Sequence, residues 1–146
     1  MHQPENCIFC QIVKGSAPAI KLHEDELTMT FLDIFPAAPG HLLIITKEHF
    51  SNLMAADPEA VARVAANSVA VAKALEATLS PDGIGVYQLN GAAAGQTVFH
   101  YHMHLIPRKE GEGRSIHAKA AADAQQLEAL AEVLRPAIET QFSAVR

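Results

Sequence analysis

Three histidines at alternate positions, His100, His102 and His104, surround and enter the run Tyr101-His102-Met103-His104-Leu105-Ile106, and they constrain the fold more than any other stretch of the chain. Strict alternation marks a strand: side chains at i, i+2 and i+4 share one face, about 6.6–7 Å apart. The three imidazoles therefore fall on one side, Tyr101, Met103 and Leu105 on the opposite, buried side, and Pro107 stops the strand. Eight histidines occur among 146 residues, and random placement would give such a triple about 0.02 times. The chain must build a sheet around this strand and must have a use for the polar row.

Other segments supply that sheet. Leu27 to Leu32 is short, β-branched and aromatic, and the turn-rich stretch 33–40 follows it. His41 to Thr46 is almost continuously apolar, which suits a strand covered on both faces. Asp57-Pro58 supplies an N-cap carboxylate and a first-turn proline. Val61, Val64, Ala65, Ser68, Ala72, Leu75 and Leu79 then recur at helical spacing until Ser80-Pro81-Asp82-Gly83. Gly85 to Asn90 predicts a strand, Gly91 to Gly95 a loop, and Lys109 to Arg114 a charged loop. Leu127, Leu130, Val133 and Leu134 mark a C-terminal amphipathic helix, broken near Pro136. No repeat or linker divides the sequence, so it predicts one α+β domain with a mainly antiparallel sheet.

Hydrophobic residues make up 49% and charged residues 18%, enough for a sizeable core. A formal charge of −5 argues against nucleic acid or an anionic membrane as partner. No apolar run approaches a membrane span, and the polar start Met1 to Asn6 carries no basic segment, so neither anchor nor signal peptide is expected and a cytoplasmic location follows. His2, His23 and His117 are expected to be incidental surface residues.

The histidine row admits three readings: a solvated strand face, the ligands of one catalytic zinc, or a phosphorus-transfer site with one imidazole as nucleophile and its neighbours as donors. Three ligands from one flat strand strain zinc geometry, but spacing does not separate the last two readings. Gly95-Gln96-Thr97-Val98 precedes the row and Asn90 ends the strand before it; an amide, a hydroxyl and backbone N–H groups are uncharged donors that suit a phosphate.

Cys7-Ile8-Phe9-Cys10 forms a second constellation. Two cysteines cannot frame disulfides, and a redox pair belongs at a strand-to-helix junction of a βαβ pattern that is absent here. The pair is either two packed thiols or half of a metal site. If His49 and His100 complete a Cys2His2 set, a structural zinc pins the N-terminal segment to the sheet, and one histidine of the row alone touches metal.

The run Gln96 to Ile106 resembles the histidine triad (HIT) family, whose signature alternates histidines with apolar residues; Tyr101, Met103, Leu105 and Ile106 fill the apolar positions. Cys7 to Ile12, Phe31 to Ile34 and Gly40 to Lys47 carry the similarity further, over roughly 7–108, with a C-terminal helical extension over about 115–146. The resemblance, closest to the Hint-like bacterial branch, implies a five-stranded antiparallel sheet with two main helices, a homodimer, and a hydrolase or transferase acting on the α-phosphate of a purine nucleotide conjugate. It implies His102 as nucleophile, with His104, Gly95 and the backbone of Gln96, Thr97 and Val98 on the phosphoryl oxygens and Asn90 supporting the phosphate end. Asp33 would accept from the ribose hydroxyls, and Ile8, Phe9, Ile12, Phe31 and Leu32 would wall the base pocket. His41 matches a histidine behind the triad. Thr97 stands where serine is frequent. Zinc on Cys7, Cys10, His49 and His100 matches a site of some bacterial members.

Overall fold

A computed structural model describes residues 4–118 and 120–144; His2 lies outside them. The chain runs α1 (Ile8–Lys14), β1 (Lys21–Glu24), β2 (Thr28–Leu32), β3 (Leu42–Thr46), α2 (Pro58–Leu79), β4 (Gly83–Tyr87), β5 (His102–Arg108) and α3 (Ala124–Ala144). The five strands form one antiparallel sheet in the order β1-β2-β3-β5-β4.

Alternation along the strands separates two cores. Leu42, Ile44 and Leu105 face α2 and α3, where Val64, Val71, Leu75, Leu127, Leu134 and Ile138 complete the larger cluster. Leu43 and Ile45 point the other way with Met29 and Phe31, against Phe9, Cys7 and Cys10 of the N-terminal segment. Every residue of β3 is therefore buried, which accounts for its unbroken apolar sequence. His102 and His104 pair with Ile45 and Leu43 in register, so they share the face that α1 covers in part.

Three expectations change. His100 does not lie on β5, which starts at His102; the histidine sits in a bend just before the strand and turns out of the row. Pro107 does not stop β5: the last partner on β3 is Leu42 opposite Leu105, so beyond it the missing proline N–H faces no neighbour, while Ile84 pairs on the other side. Pro136 does not break α3, because Leu127, Ala131 and Leu134 before it and Ile138 after it are buried in a single core. The carbonyl four residues before Pro136 belongs to exposed Glu132 and is left to water.

A third helix, α1, and the short strand β1 were not anticipated. Helix α1 is about two turns long, too short for periodicity to register. Its ends are set by single residues: Cys7 Sγ accepts from the Cys10 N–H at 3.4 Å, and Gly15 closes it at φ +86°. Strand β1 buries Leu22 alone and owes its place to Asp25. That carboxylate accepts from the Leu27 and Thr28 N–H groups and from Asn67 of α2, fastening the β1–β2 turn to the helix layer.

Candidate functional site

On the α1 face of the sheet a cavity of about 600 Å³ opens, within the range of small-molecule sites. Ile8, Phe9 and Ile12 from α1, Phe31, Leu32 and Asp33 from β2 and its end, and Thr97, Val98, His102 and His104 all line it. Every residue assigned to the base wall, the ribose contact and the catalytic position thus meets in one place. Asn90, Gly95 and Gln96 do not line the cavity. The Gln96 amide is already engaged: its Oε1 accepts from the Gly91 N–H at 2.7 Å and its Nε2 donates to the carbonyls of Ser51 and Val98. Asn90 is tied to Gln88 and accepts from the Leu53 N–H. Both amides brace the loop. Among the described residues, the N–H groups of Thr97 and Val98 and the Thr97 hydroxyl have no partner and remain free donors beside the two histidines.

The hydrogen bonds fix the histidine tautomers, because a carbonyl can only accept and a backbone N–H can only donate. His102 Nδ1 donates to the carbonyl of His100 at 2.6 Å, so its Nε2 carries the lone pair. His41 Nδ1 accepts from the Ala37 N–H at 2.9 Å. Its Nε2 therefore bears the proton and donates to His104 Nδ1 at 2.9 Å, which leaves His104 Nε2 as an N–H donor. One cavity wall then presents a nucleophilic nitrogen and an N–H donor on rings whose centroids are 4.9 Å apart. His41, almost wholly buried, acts through His104 rather than at the cavity surface.

Electrostatics keep these rings neutral. Burial, with repulsion from neighbouring cations, pushes His41 down to about 4 and His104 down to about 3; burial likewise lowers His102. Burial raises the Asp33 carboxyl, against the Phe35 N–H bond and the nearby His117. Asp33, His41 and His104 cluster closely enough to hold a cation, but both His41 nitrogens are spent on Ala37 and His104, so this group is a hydrogen-bond relay.

A metal-sized cluster stands behind the row. The ligand atoms of Cys7, Cys10, His49 and His100 lie within 4.8 Å of one another. His100 Nε2 donates to the Thr46 carbonyl at 2.6 Å, which turns its Nδ1 lone pair toward the Cys7 and Cys10 sulfurs at 3.3 and 3.5 Å. His49 Nδ1 lies 3.2 Å from Cys10 Sγ. Around a tetrahedral zinc, bonds of about 2.3 Å to sulfur and about 2.0 Å to nitrogen set neighbouring S and N about 3.5 Å apart. The four residues fit that ion. Without metal, burial and the adjacent Cys7 raise the Cys10 thiol to about 11; a bound cation reverses this by favouring the thiolate. The same geometry disposes of a single zinc on all three triad histidines, since the His100 lone pair points at the thiols and its carbonyl holds His102.

Phe9 couples the two centres. Its ring meets His100 edge-on at 5.7 Å and His102 at 5.1 Å, so the helix that carries the cysteines also props the nucleophilic imidazole. His117 was expected to be incidental; it lines the cavity with Ile116 and Ala118. No periodic or spacing signal in the charged loop marks it.

The description HIT domain matches residues 14–111. The chain is 41% identical over 124 residues to Protein hit of Bacillus subtilis, covering 84% of this chain and 86% of that one. It is 40% identical over 105 residues to the adenylylsulfatase HINT3 of Arabidopsis thaliana, covering 72% of this chain and 53% of that protein. It is 39% identical over 107 residues to the adenosine 5'-monophosphoramidase hnt1 of Schizosaccharomyces pombe, covering 73% and 77%. A zinc-bound histidine triad family protein from Mycobacterium smegmatis superposes with a TM-score of 0.83 at 38% identity, over 97% of this chain and 99% of that one. The likeness therefore extends through α3.

Proposed function

The chain belongs to the histidine triad (HIT) family, and from that membership we propose that it hydrolyses adenylyl or related purine nucleotide conjugates at the α-phosphate, through a nucleotide held covalently on His102. The observation that carries this reading is the His102 tautomer: Nδ1–H is bound to the His100 carbonyl, so the Nε2 lone pair faces a cavity of nucleotide-binding size. Relatives named as an adenylylsulfatase and a phosphoramidase support the bond class.

In the proposed sequence the base lies between Ile8, Phe9, Ile12, Phe31 and Leu32, and Asp33 accepts from the ribose hydroxyls. His102 Nε2 attacks the α-phosphorus; the bond to the leaving group breaks with its electron pair on that group. The phosphoryl oxygens receive the His104 Nε2–H and the N–H groups of Thr97 and Val98, in a loop opened by Gly95 and braced by Gln96 and Asn90. Water then attacks the phosphorus, the N–P electron pair returns to His102, and a proton leaves to solvent. Cys7, Cys10, His49 and His100 would hold zinc, which supplies a rigid tie between α1 and the sheet. We further propose a homodimer in the reducing cytoplasm: β4 is a sheet edge with Val86 half exposed, and both cysteines are free thiols.

The test is turnover of adenosine 5'-phosphoramidate and adenosine 5'-phosphosulfate by the wild type and His102→Ala. Loss of at least 10³-fold in kcat, with radiolabelled AMP trapped on the wild type after acid-free quenching, is the expected result. Normal turnover by the variant, or tight nucleotide binding without any turnover, would overturn it in favour of a non-catalytic nucleotide-binding module.

A further inference from the structure

Within the reaction proposed above, we infer that His117 is the contact for an anionic leaving group and that the enzyme is thereby built for sulfate, phosphate or nucleotide as the displaced group. The first observation is a gap in charge. Among the described residues no lysine or arginine lines the cavity, the two other imidazoles that line it, His102 and His104, are buried, and Asp33 is the acidic group there. A substrate bearing an ionised α-phosphoryl and a second anion would meet donors but no lysine or arginine, and His117 is the remaining basic side chain on the lining.

The second observation is where the ring stands. Residues 109–118 leave the end of β5 as a strap. Arg108 on β5 donates to the Ser115 carbonyl at 2.6 Å, and the Ala122 N–H donates to the carbonyl of Ile34, just after β2, at 2.9 Å. Strand β3 lies between those strands, so Ser115 and Ala122 stand on either side of the sheet end where the cavity opens, and Ile116, His117 and Ala118 line it there. The Ser115 hydroxyl bonds both the N–H and the carbonyl of His117, which fixes the backbone that presents the imidazole. His117 Nε2 lies 3.8 Å from where a Cβ on Gly95 would stand, at the start of the phosphate loop.

The third step is stereochemical. Displacement at phosphorus runs in line, with nucleophile and leaving group on opposite sides. His102 is 6% exposed, so the displaced group must leave toward solvent, the side on which exposed His117 stands. The bridging P–O bond breaks with its electron pair on the departing oxygen. The His117 imidazole stabilises that anion through its Nε2–H hydrogen bond, without transferring the proton to sulfate. From a phosphoramidate the nitrogen departs with the P–N electron pair and one proton taken up from solvent, and the resulting ammonia is small and uncharged and gains little from the same donor.

The experiment compares kcat/KM for adenosine 5'-phosphosulfate and adenosine 5'-phosphoramidate in the wild type, His117→Ala and His117→Lys. Removing the imidazole is expected to lower the phosphosulfate value about tenfold or more and the phosphoramidate value less than threefold, and lysine is expected to restore most of the loss. Equal losses on both substrates, no loss on either, or a lysine variant as poor as alanine on phosphosulfate would each overturn the assignment. A wild type inactive on both substrates would instead refute the hydrolase itself, so the two failures are distinct.

Discussion

His41 never reaches the cavity surface, yet replacing it with leucine should cripple catalysis. Two hydrogen bonds, from the Ala37 N–H and to His104 Nδ1, both 2.9 Å, end on its ring. His41→Leu leaves the Ala37 N–H and the His104 Nδ1 without partners at a site that is 1% exposed. Each orphaned group costs about 1–3 kcal/mol, offset in part by the apolar side chain, so a net loss of about 2–4 kcal/mol in urea unfolding is expected. The larger effect is chemical. Without a donor at Nδ1, His104 is free to carry its proton there and to turn a lone pair toward the phosphoryl oxygens. Losing one oxyanion donor costs about 10²-fold or more in kcat. The assay is a double-mutant cycle on phosphoramidate turnover with folding checked by urea melts. His104→Ala should cost a similar factor, and adding His41→Leu to it should cost less than about threefold more. Full activity of His41→Leu, or costs that simply multiply, would refute the relay.

The remaining predictions concern stability. The purified protein should contain one zinc per chain, and a Cys7→Ala, Cys10→Ala variant none; chelation should lower the melting temperature of the wild type and leave that of the variant unchanged. His41 and His104 are held at about 4 and about 3 against an ordinary 6.5, so the unfolded chain binds protons that the fold rejects. Stability should therefore hold above pH 6.5 and fall toward pH 4, by up to about 1.4 kcal/mol per pH unit for each ring; a urea midpoint flat from pH 7 to 5 would contradict this. Gly40→Ala should cost about 2–4 kcal/mol, since Gly40 sits at φ +90° and the added Cβ would stand 2.5 Å from Leu79 Cδ1; an unchanged midpoint would refute the clash.

Much of this architecture was written in periodicity. Helix α2 stood out because it buries one regular face, β2 and β3 because short apolar runs are buried throughout, and alternation along β5 set which side carries His102 and His104. Period two also misled. It placed His100 in one row with its neighbours, whereas tertiary contacts with Thr46, Cys7 and Cys10 pull it out of the strand. The C-x2-C spacing offered half of a metal site, with packed thiols as the other reading, and it was the resemblance to the HIT family that matched His49 and His100 to Cys7 and Cys10. The short helix that brings the cysteines there was invisible, because seven residues capped by a thiol and a glycine have no repeating face. His117 was illegible for a related reason: its position depends on one bond from the Arg108 guanidinium to the Ser115 carbonyl and one backbone bond from Ala122 to Ile34, and periodicity registers neither.

The triad's chemistry rests on main-chain atoms more than on its own side chains. The Thr46 carbonyl orients His100, the His100 carbonyl orients His102, and the Ala37 N–H orients His41 and through it His104. A lone-pair assignment made by backbone survives changes of pH that would scramble one made by another titrating group. It requires in return that the backbone be immobile at those three points. Thr46 ends the fully buried strand β3, and Ala37 sits in the turn tied to it by the His41 N–H bond to the Ala38 carbonyl. His100, the one point that lies in a bend outside regular structure, is also the one whose side chain meets the two thiols. A metal there would fix the carbonyl that makes His102 a nucleophile, and Phe9, carried between the two cysteines, would hold the ring's edge. On this argument the cysteine pair belongs to the catalytic design even though no atom of it reaches the substrate.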